Sequence, residues 1–161
     1  MTATMDLHAA LGAAGRSPEI AESDDVYGWL VGRWGLDCLH YKGAAVSLKG
    51  QAHFGWVLEG RAVQDVWTMA GHMYGTTLRV WDASIGAWRI SWKNPVHNHF
   101  EEQIGRRVGE EIVQVGMRAN GTPTRWRFTE IAPASFHWLG EALEPDGKTW
   151  RLEGEFRARR M

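Results

Sequence analysis

Nine of the ten tryptophans in this chain recur in short segments that alternate apolar and polar residues: Trp34, Trp56, Trp67, Trp81, Trp88, Trp92, Trp126, Trp138 and Trp150. Gly, Asn, Asp or Pro divides these segments from one another. A period of two is the pattern of a half-buried β-strand, and each strand here offers a large flat side chain to a shared interior. So much aromatic area in 161 residues suits a β-barrel with an aromatic-lined cavity.

Ten strands are expected, over 33–41, 46–58, 61–69, 74–82, 86–93, 98–106, 110–118, 124–131, 135–143 and 149–158. Turn residues separate them: Glu59-Gly60, Asp82-Ala83-Ser84, Asn94-Pro95, Asn120-Gly121 and Pro145-Asp146-Gly147. Short connections favour antiparallel neighbours and hence a meander. A flat meander of about ten strands would expose two long edges, and closure into an up-and-down barrel removes both. The expected fold is therefore all-β, a single antiparallel barrel over residues 26–161. Residues 1–25 read as a flexible or loosely docked arm with a short helix in Met5 to Ala14. Ser23, Asp24 and Asp25 stand where they cap a helical turn through Val26, Tyr27, Trp29 and Leu30.

Bulk composition excludes several functions. Net charge is −1 with 23% charged residues, so no global field recruits nucleic acid or an anionic membrane. The single cysteine, Cys38, rules out an internal disulfide and a cysteine-rich zinc motif. The N-terminus lacks the basic start and apolar run of a signal peptide, and no segment is apolar enough to cross a bilayer. A cytoplasmic protein is the expectation. There is no phosphate-binding glycine loop, dinucleotide fingerprint or serine-hydrolase elbow, and no cofactor is implied.

Parity assigns the faces. Trp88, Ile90 and Trp92 oppose Arg89, Ser91 and Lys93, and Trp126 and Phe128 oppose Arg125 and Arg127. By the same rule Phe54, Trp56 and Leu58, then Val113, Val115 and Met117, then Trp150, Leu152, Gly154 and Phe156 are expected to face inward.

Gly32-Arg33-Trp34 opens the first strand directly after a helical turn, and arginines close the chain after an aromatic strand. This resembles the Gly-x-Trp start of the calycin superfamily, the lipocalins and fatty-acid-binding-protein-like barrels. The run from Val57 to Trp67, Ser135 to Trp138 and the segment from Trp150 to Arg160 look similar to uncharacterised bacterial lipocalin-like proteins. The resemblance spans about residues 26–160. It implies a barrel that holds a small molecule, with the tryptophan at the closed end beneath a basic side chain, and it names no ligand.

Asp65 is the first candidate for chemistry. It alternates with Val63, Trp67 and Met69, which places a carboxylate among aromatic walls with Arg61 and Arg79 as partners. The opposite parity turns Gln64, Val66 and Thr68 inward and leaves Asp65 on the surface. His40 follows Trp34, Leu36 and Cys38 and is expected on their inward face, as a general base or a ligand contact. The alternative for His40 is a core-edge histidine, and Cys38 reads as a small buried hydrophobe.

On a strand, His97, His99 and Glu101 project from one face and carry metal-ligand chemistry. Phe100 and Ile104, however, read as the inward residues, which turns the histidines outward. No metal is therefore assigned, and His97 and His99 are expected to cap a ligand at the barrel mouth. His137, in an aromatic strand, reads as structural rather than as a haem ligand. Trp56, Trp67, Tyr74 and Trp92 are the expected ligand-binding walls, since an indole suits a planar partner.

The expected function is binding of a small apolar or planar metabolite, oriented by Asp65 and His40. The alternative is a cofactor-independent isomerase, cyclase or lyase acting by acid/base catalysis inside the barrel. The third reading is an interaction module whose tryptophans are only core. No nucleic-acid or membrane partner is expected, and a homodimer is left open.

Overall fold

The computed structural model describes residues 4–161; residues 1–3 of the expected arm lie outside the described residues. A five-residue helix α1 (Leu7–Leu11) begins at Asp6, whose carboxylate accepts the Ala9 amide at 2.8 Å, and runs into the two-residue strand β1 (Gly12–Ala13). Ten longer strands follow: β2 (Gly32–Tyr41), β3 (Ala44–Val57), β4 (Ala62–Met69), β5 (Met73–Asp82), β6 (Ala87–Asn94), β7 (His99–Val108), β8 (Glu111–Arg118), β9 (Pro123–Ala132), β10 (Ser135–Leu143) and β11 (Trp150–Arg160). Every expected strand is present within two residues of its expected ends. All neighbours pair antiparallel, β11 returns to β2, and β3 pairs with both β2 and β4, so the sheet closes into a ten-stranded barrel.

One end is filled. Tyr27, Leu30 and Trp34 are fully buried there among Trp88, Phe128 and Phe136, in edge-to-face contacts such as Trp34–Phe136 at 4.8 Å and Tyr27–Trp88 at 5.3 Å. The helical turn that carries Tyr27 and Leu30 into the barrel is a 3₁₀ turn, Gly28–Leu30, and the Asp25 carboxylate accepts the Gly28 amide at 2.8 Å. Tyr27 lies against Gly105, where a Cβ would stand 2.1 Å from its hydroxyl. Arg160 closes this end from outside, 4.2 Å over the Trp34 ring, and donates to the carbonyls of Trp29 (2.7 Å) and Val31 (2.9 Å). Residues 12–20 lie along the same end: β1 pairs with β3, the Ser17 amide donates to the Gly60 carbonyl at 2.9 Å, and Ile20 is buried.

Four expected faces are corrected. On β8, Ile112 and Gln114 are buried while Val115 and Met117 are 46% and 57% exposed. On β7, Glu101 and Gln103 are buried and Phe100 is 47% exposed. The reason is shared: Gln103, Gln114 and Thr124, on the adjacent strands β7, β8 and β9, hydrogen-bond along the inner wall (Gln114 to Gln103 at 3.1 Å, Gln103 to Thr124 at 3.2 Å), so a polar band is satisfied inside. Leu58 sits in a turn with positive φ and is exposed. On β11, Gly140 pairs with Gly154 but Glu141 with Leu152, so Glu153 is an extra residue. This bulge reverses parity. Gly154 and Phe156 face inward as expected, whereas Trp150 stacks on outward-facing Arg125 at 4.3 Å.

Candidate functional site: a cavity at the open end

Above the filled end the barrel holds a cavity of about 460 Å³, open where β2–β3, β4–β5, β6–β7, β8–β9 and β10–β11 are joined. This lies within the size range of small-molecule sites, roughly 300–1,000 Å³. Trp67, Trp92, Trp126, Trp138 and Phe156 form its walls, with centroid separations of 5.3 to 6.1 Å around the ring. Small residues make that possible. Trp92 lies where a Cβ on Gly75 would be 2.4 Å from its ring, and Trp138 covers Gly140 and Gly154 at 2.7 and 3.2 Å.

The floor is charged. Arg79 on β5 is 1% exposed; its Nη1 donates to Asp65 Oδ2 at 2.5 Å and its Nε to Gln114 Oε1 at 3.3 Å. Tyr27, Phe54 and Phe128 surround the guanidinium at 5.2 to 5.8 Å. Asp65 Oδ1 accepts the Thr77 amide at 2.8 Å, so both carboxylate oxygens are used. Asp65 therefore faces inward as expected but lies behind Arg79, outside the cavity lining. Burial, opposed only in part by the Arg79 charge, raises the Tyr27 phenol above its ordinary range.

The mouth is polar. Tyr41, His97 and His99 line it with Arg118 and Glu153. Arg118 donates to Glu153 through both terminal nitrogens, with Nη1 at 3.1 Å from Oε2. Burial pushes the Glu153 carboxyl up, but hydrogen bonds from Arg118 and Arg151 more than offset this and hold it below its ordinary value. His99 Nε2 bonds Glu101 Oε2, and Arg118 Nε stands 3.7 Å from the same oxygen. The Glu101 side chain is fully buried, and its Oε1 has no hydrogen-bond partner among the described residues. Burial also raises the Tyr41 hydroxyl.

Of the expected ligand-binding residues, Trp67, Trp92, His97 and His99 meet at this cavity. Trp56 is buried toward the filled end beside Gly28, and Tyr74 is 63% exposed on the outer wall. His40 is displaced by a bulge. Phe156 on β11 pairs with Cys38 but Glu155 with His40, so Leu39 is an extra residue on β2, parity reverses after Cys38, and Tyr41, not His40, reaches the cavity. His40 Nδ1 instead meets Glu155 Oε2 at 3.0 Å on the outer face. His137 lies on that face too, between Glu155 (2.9 Å) and Glu130 (3.1 Å). Among the described residues no cluster of three or more His, Cys, Asp or Glu has the arrangement to hold a metal ion.

Arg118, Glu153 and Tyr41 were not anticipated, because each reaches the cavity through a bulge or an inverted face. The buried polar band offered one signal: Gln103, Gln114 and Thr124 recur at mutually compatible parity with Glu101 and Arg118. Among the described residues no helix is long and apolar enough to cross a membrane. A comparison with protein-family models finds no match, and no curated protein matches the chain.

Proposed function

We propose that this protein binds a small, planar, largely apolar molecule in the cavity at the open end of its barrel. The observation that carries the reading is the wall itself: four indoles and a phenyl ring around about 460 Å³, with polar groups confined to floor and mouth. Indole faces grip a flat conjugated ligand by dispersion and quadrupole contacts, while a few convergent polar groups set its orientation. Arg79 is held rigid by Asp65 and Gln114 and offers the floor donor; His97, His99 and Arg118 serve at the mouth. The filled end, with Trp34 beneath Arg160, supports a calycin-like reading of the barrel.

The test is native mass spectrometry with an absorption spectrum on freshly purified protein, followed by a tryptophan-fluorescence titration with anilinonaphthalenesulfonate. A mass lost on denaturation, or saturable quenching that Trp138→Ala and Trp92→Ala weaken, is expected. A clean apo mass together with quenching that is absent, or unchanged in both variants, would overturn the proposal.

A further inference from the structure

We propose that His99 is a general base in this cavity, positioned by Glu101, and that the ligand is a substrate: a planar conjugated molecule with an acidic carbon–hydrogen bond. This rests on the cavity reading above and adds chemistry to it.

Three observations converge. A carboxylate only accepts hydrogen bonds, so the contact between Glu101 Oε2 and His99 Nε2 places the ring proton on Nε2. Nδ1 is then the acceptor, and it has no protein partner among the described residues, on a ring that lines the cavity. His99 is also held edge-to-face against Trp126, at 6.3 Å and 79°, so its plane is set by packing as well as by Glu101. A histidine fixed by a buried carboxylate through one nitrogen, and open to a cavity through the other, is the arrangement general-base catalysis requires.

Burial explains why the carboxylate acts on the histidine. Glu101 is shut away from solvent and its Oε1 has no donor among the described residues. Its demand for positive charge falls on the two groups that reach Oε2, His99 and Arg118. The bonded cluster of Glu101, Arg118, Glu153, Arg151 and Glu144 holds three carboxylates against two guanidiniums. A proton arriving on His99 brings the formal charges of that cluster into balance. The hydrogen bond that His99 donates to Glu101 and its edge-to-face contact with Trp126 keep the ring in place while this happens.

The reaction class is a proton shift. His99 Nδ1 takes the proton from one carbon, and the electron pair of that bond delocalises into the conjugated system. The same proton returns from the imidazolium to another carbon of the system, giving an isomer. No oxidant, reductant or co-reactant is consumed. The indole walls hold the planar anion, and the Arg118 guanidinium stands beside it.

Nitrobenzisoxazole tests this. It is flat and small enough for the cavity, and a base that removes its ring C–H proton breaks the N–O bond to release a coloured cyanophenolate. Binding is followed by tryptophan quenching and turnover by colour. The wild-type protein is expected to turn the probe over saturably and faster than free imidazole at equal concentration. His99→Ala is expected to keep quenching and lose kcat by about a hundredfold or more, the scale of a lost acid/base group. Added imidazole should restore part of that rate. Glu101→Gln is expected to lower kcat with KM nearly unchanged, because its amide can donate to Nε2 and move the ring proton to Nδ1. Quenching without turnover, or turnover unaffected by His99→Ala, overturns the base and leaves the binding cavity standing. Absence of quenching by this probe and by anilinonaphthalenesulfonate alike overturns the cavity reading and the base with it.

Discussion

Replacing Asp65 with alanine strands a guanidinium inside the barrel. Arg79 is 1% exposed, and the Asp65 carboxylate at 2.5 Å is its one anionic partner among the described residues. The substitution removes two interactions. The charge-assisted bond to Arg79 contributes about 1.5–3 kcal/mol, and the Thr77 amide, left without its acceptor, costs about 1–3 kcal/mol. Arg79 borders the cavity, so water reaches one side of the unpaired charge and relieves part of the penalty. The expected loss is about 3–5 kcal/mol, the range for breaking a buried ion pair.

Asp65→Asn separates the two contributions. Its amide oxygen still accepts the Thr77 amide, so about half of the loss is expected. The double variant Asp65→Leu with Arg79→Met removes the charge along with its partner and should recover most of the stability. Urea unfolding followed by tryptophan fluorescence measures all four proteins, and unchanged m-values would show that the denatured state is the same throughout. A loss below about 1 kcal/mol for Asp65→Ala, or a double variant no more stable than Asp65→Ala, refutes the reasoning, since a surface pair behaves in that way.

Three further outcomes follow from the same geometry. Glu141 accepts from Arg125 and Arg127 (2.9 Å each at the closest), and these bonds outweigh the upward push of burial to hold its carboxyl below the ordinary 4.5. Its contribution to stability is therefore complete above about pH 4.5 and is lost as pH falls through the depressed value; Glu141→Gln should flatten that acid limb in pH-dependent urea unfolding. Burial raises the Cys38 thiol to about 11, against a weaker downward effect of its bond to the His40 carbonyl. Iodoacetamide near neutral pH should leave the folded protein unmodified and label it only in denaturant, as read by intact mass. Gly140→Ala places a methyl group 2.7 Å from Trp138 Cη2, which should cost about 1–3 kcal/mol by overpacking and weaken anilinonaphthalenesulfonate binding as the indole is pushed into the cavity.

The barrel was legible because its strands are amphipathic in short range. Trp88-Arg89-Ile90-Ser91-Trp92 and Arg125-Trp126-Arg127-Phe128 state their two faces locally, and the structure keeps both. The faces failed where local hydrophobicity and long-range pairing disagree. Val115 and Met117 are more apolar than Gln114, yet Gln114 is inside because Gln103 on the neighbouring strand and Arg79 on β5 bond to it within the barrel. No window along β8 contains that information. His40 and Trp150 failed for another reason: one bulged residue, at Leu39 against β11 and at Glu153 against β10, turns over every side chain beyond it.

The candidate site follows the same division. Trp67, Trp92, His97 and His99 were found from pattern and chemistry, and all four line the cavity. The Glu101–His99 contact was within view as a spacing of two on a strand, but its inward direction was not, because Phe100 and Ile104 made the stronger hydrophobic argument. Alternation, turn chemistry and aromatic content determine that this chain makes an antiparallel barrel with an indole-rich interior, since those are properties of neighbouring residues. Which polar groups enter that interior, and which end stays open, was decided only when distant strands met. Burying a charge or an amide depends on partners supplied from elsewhere in the chain, and those partners exist only once the barrel has closed.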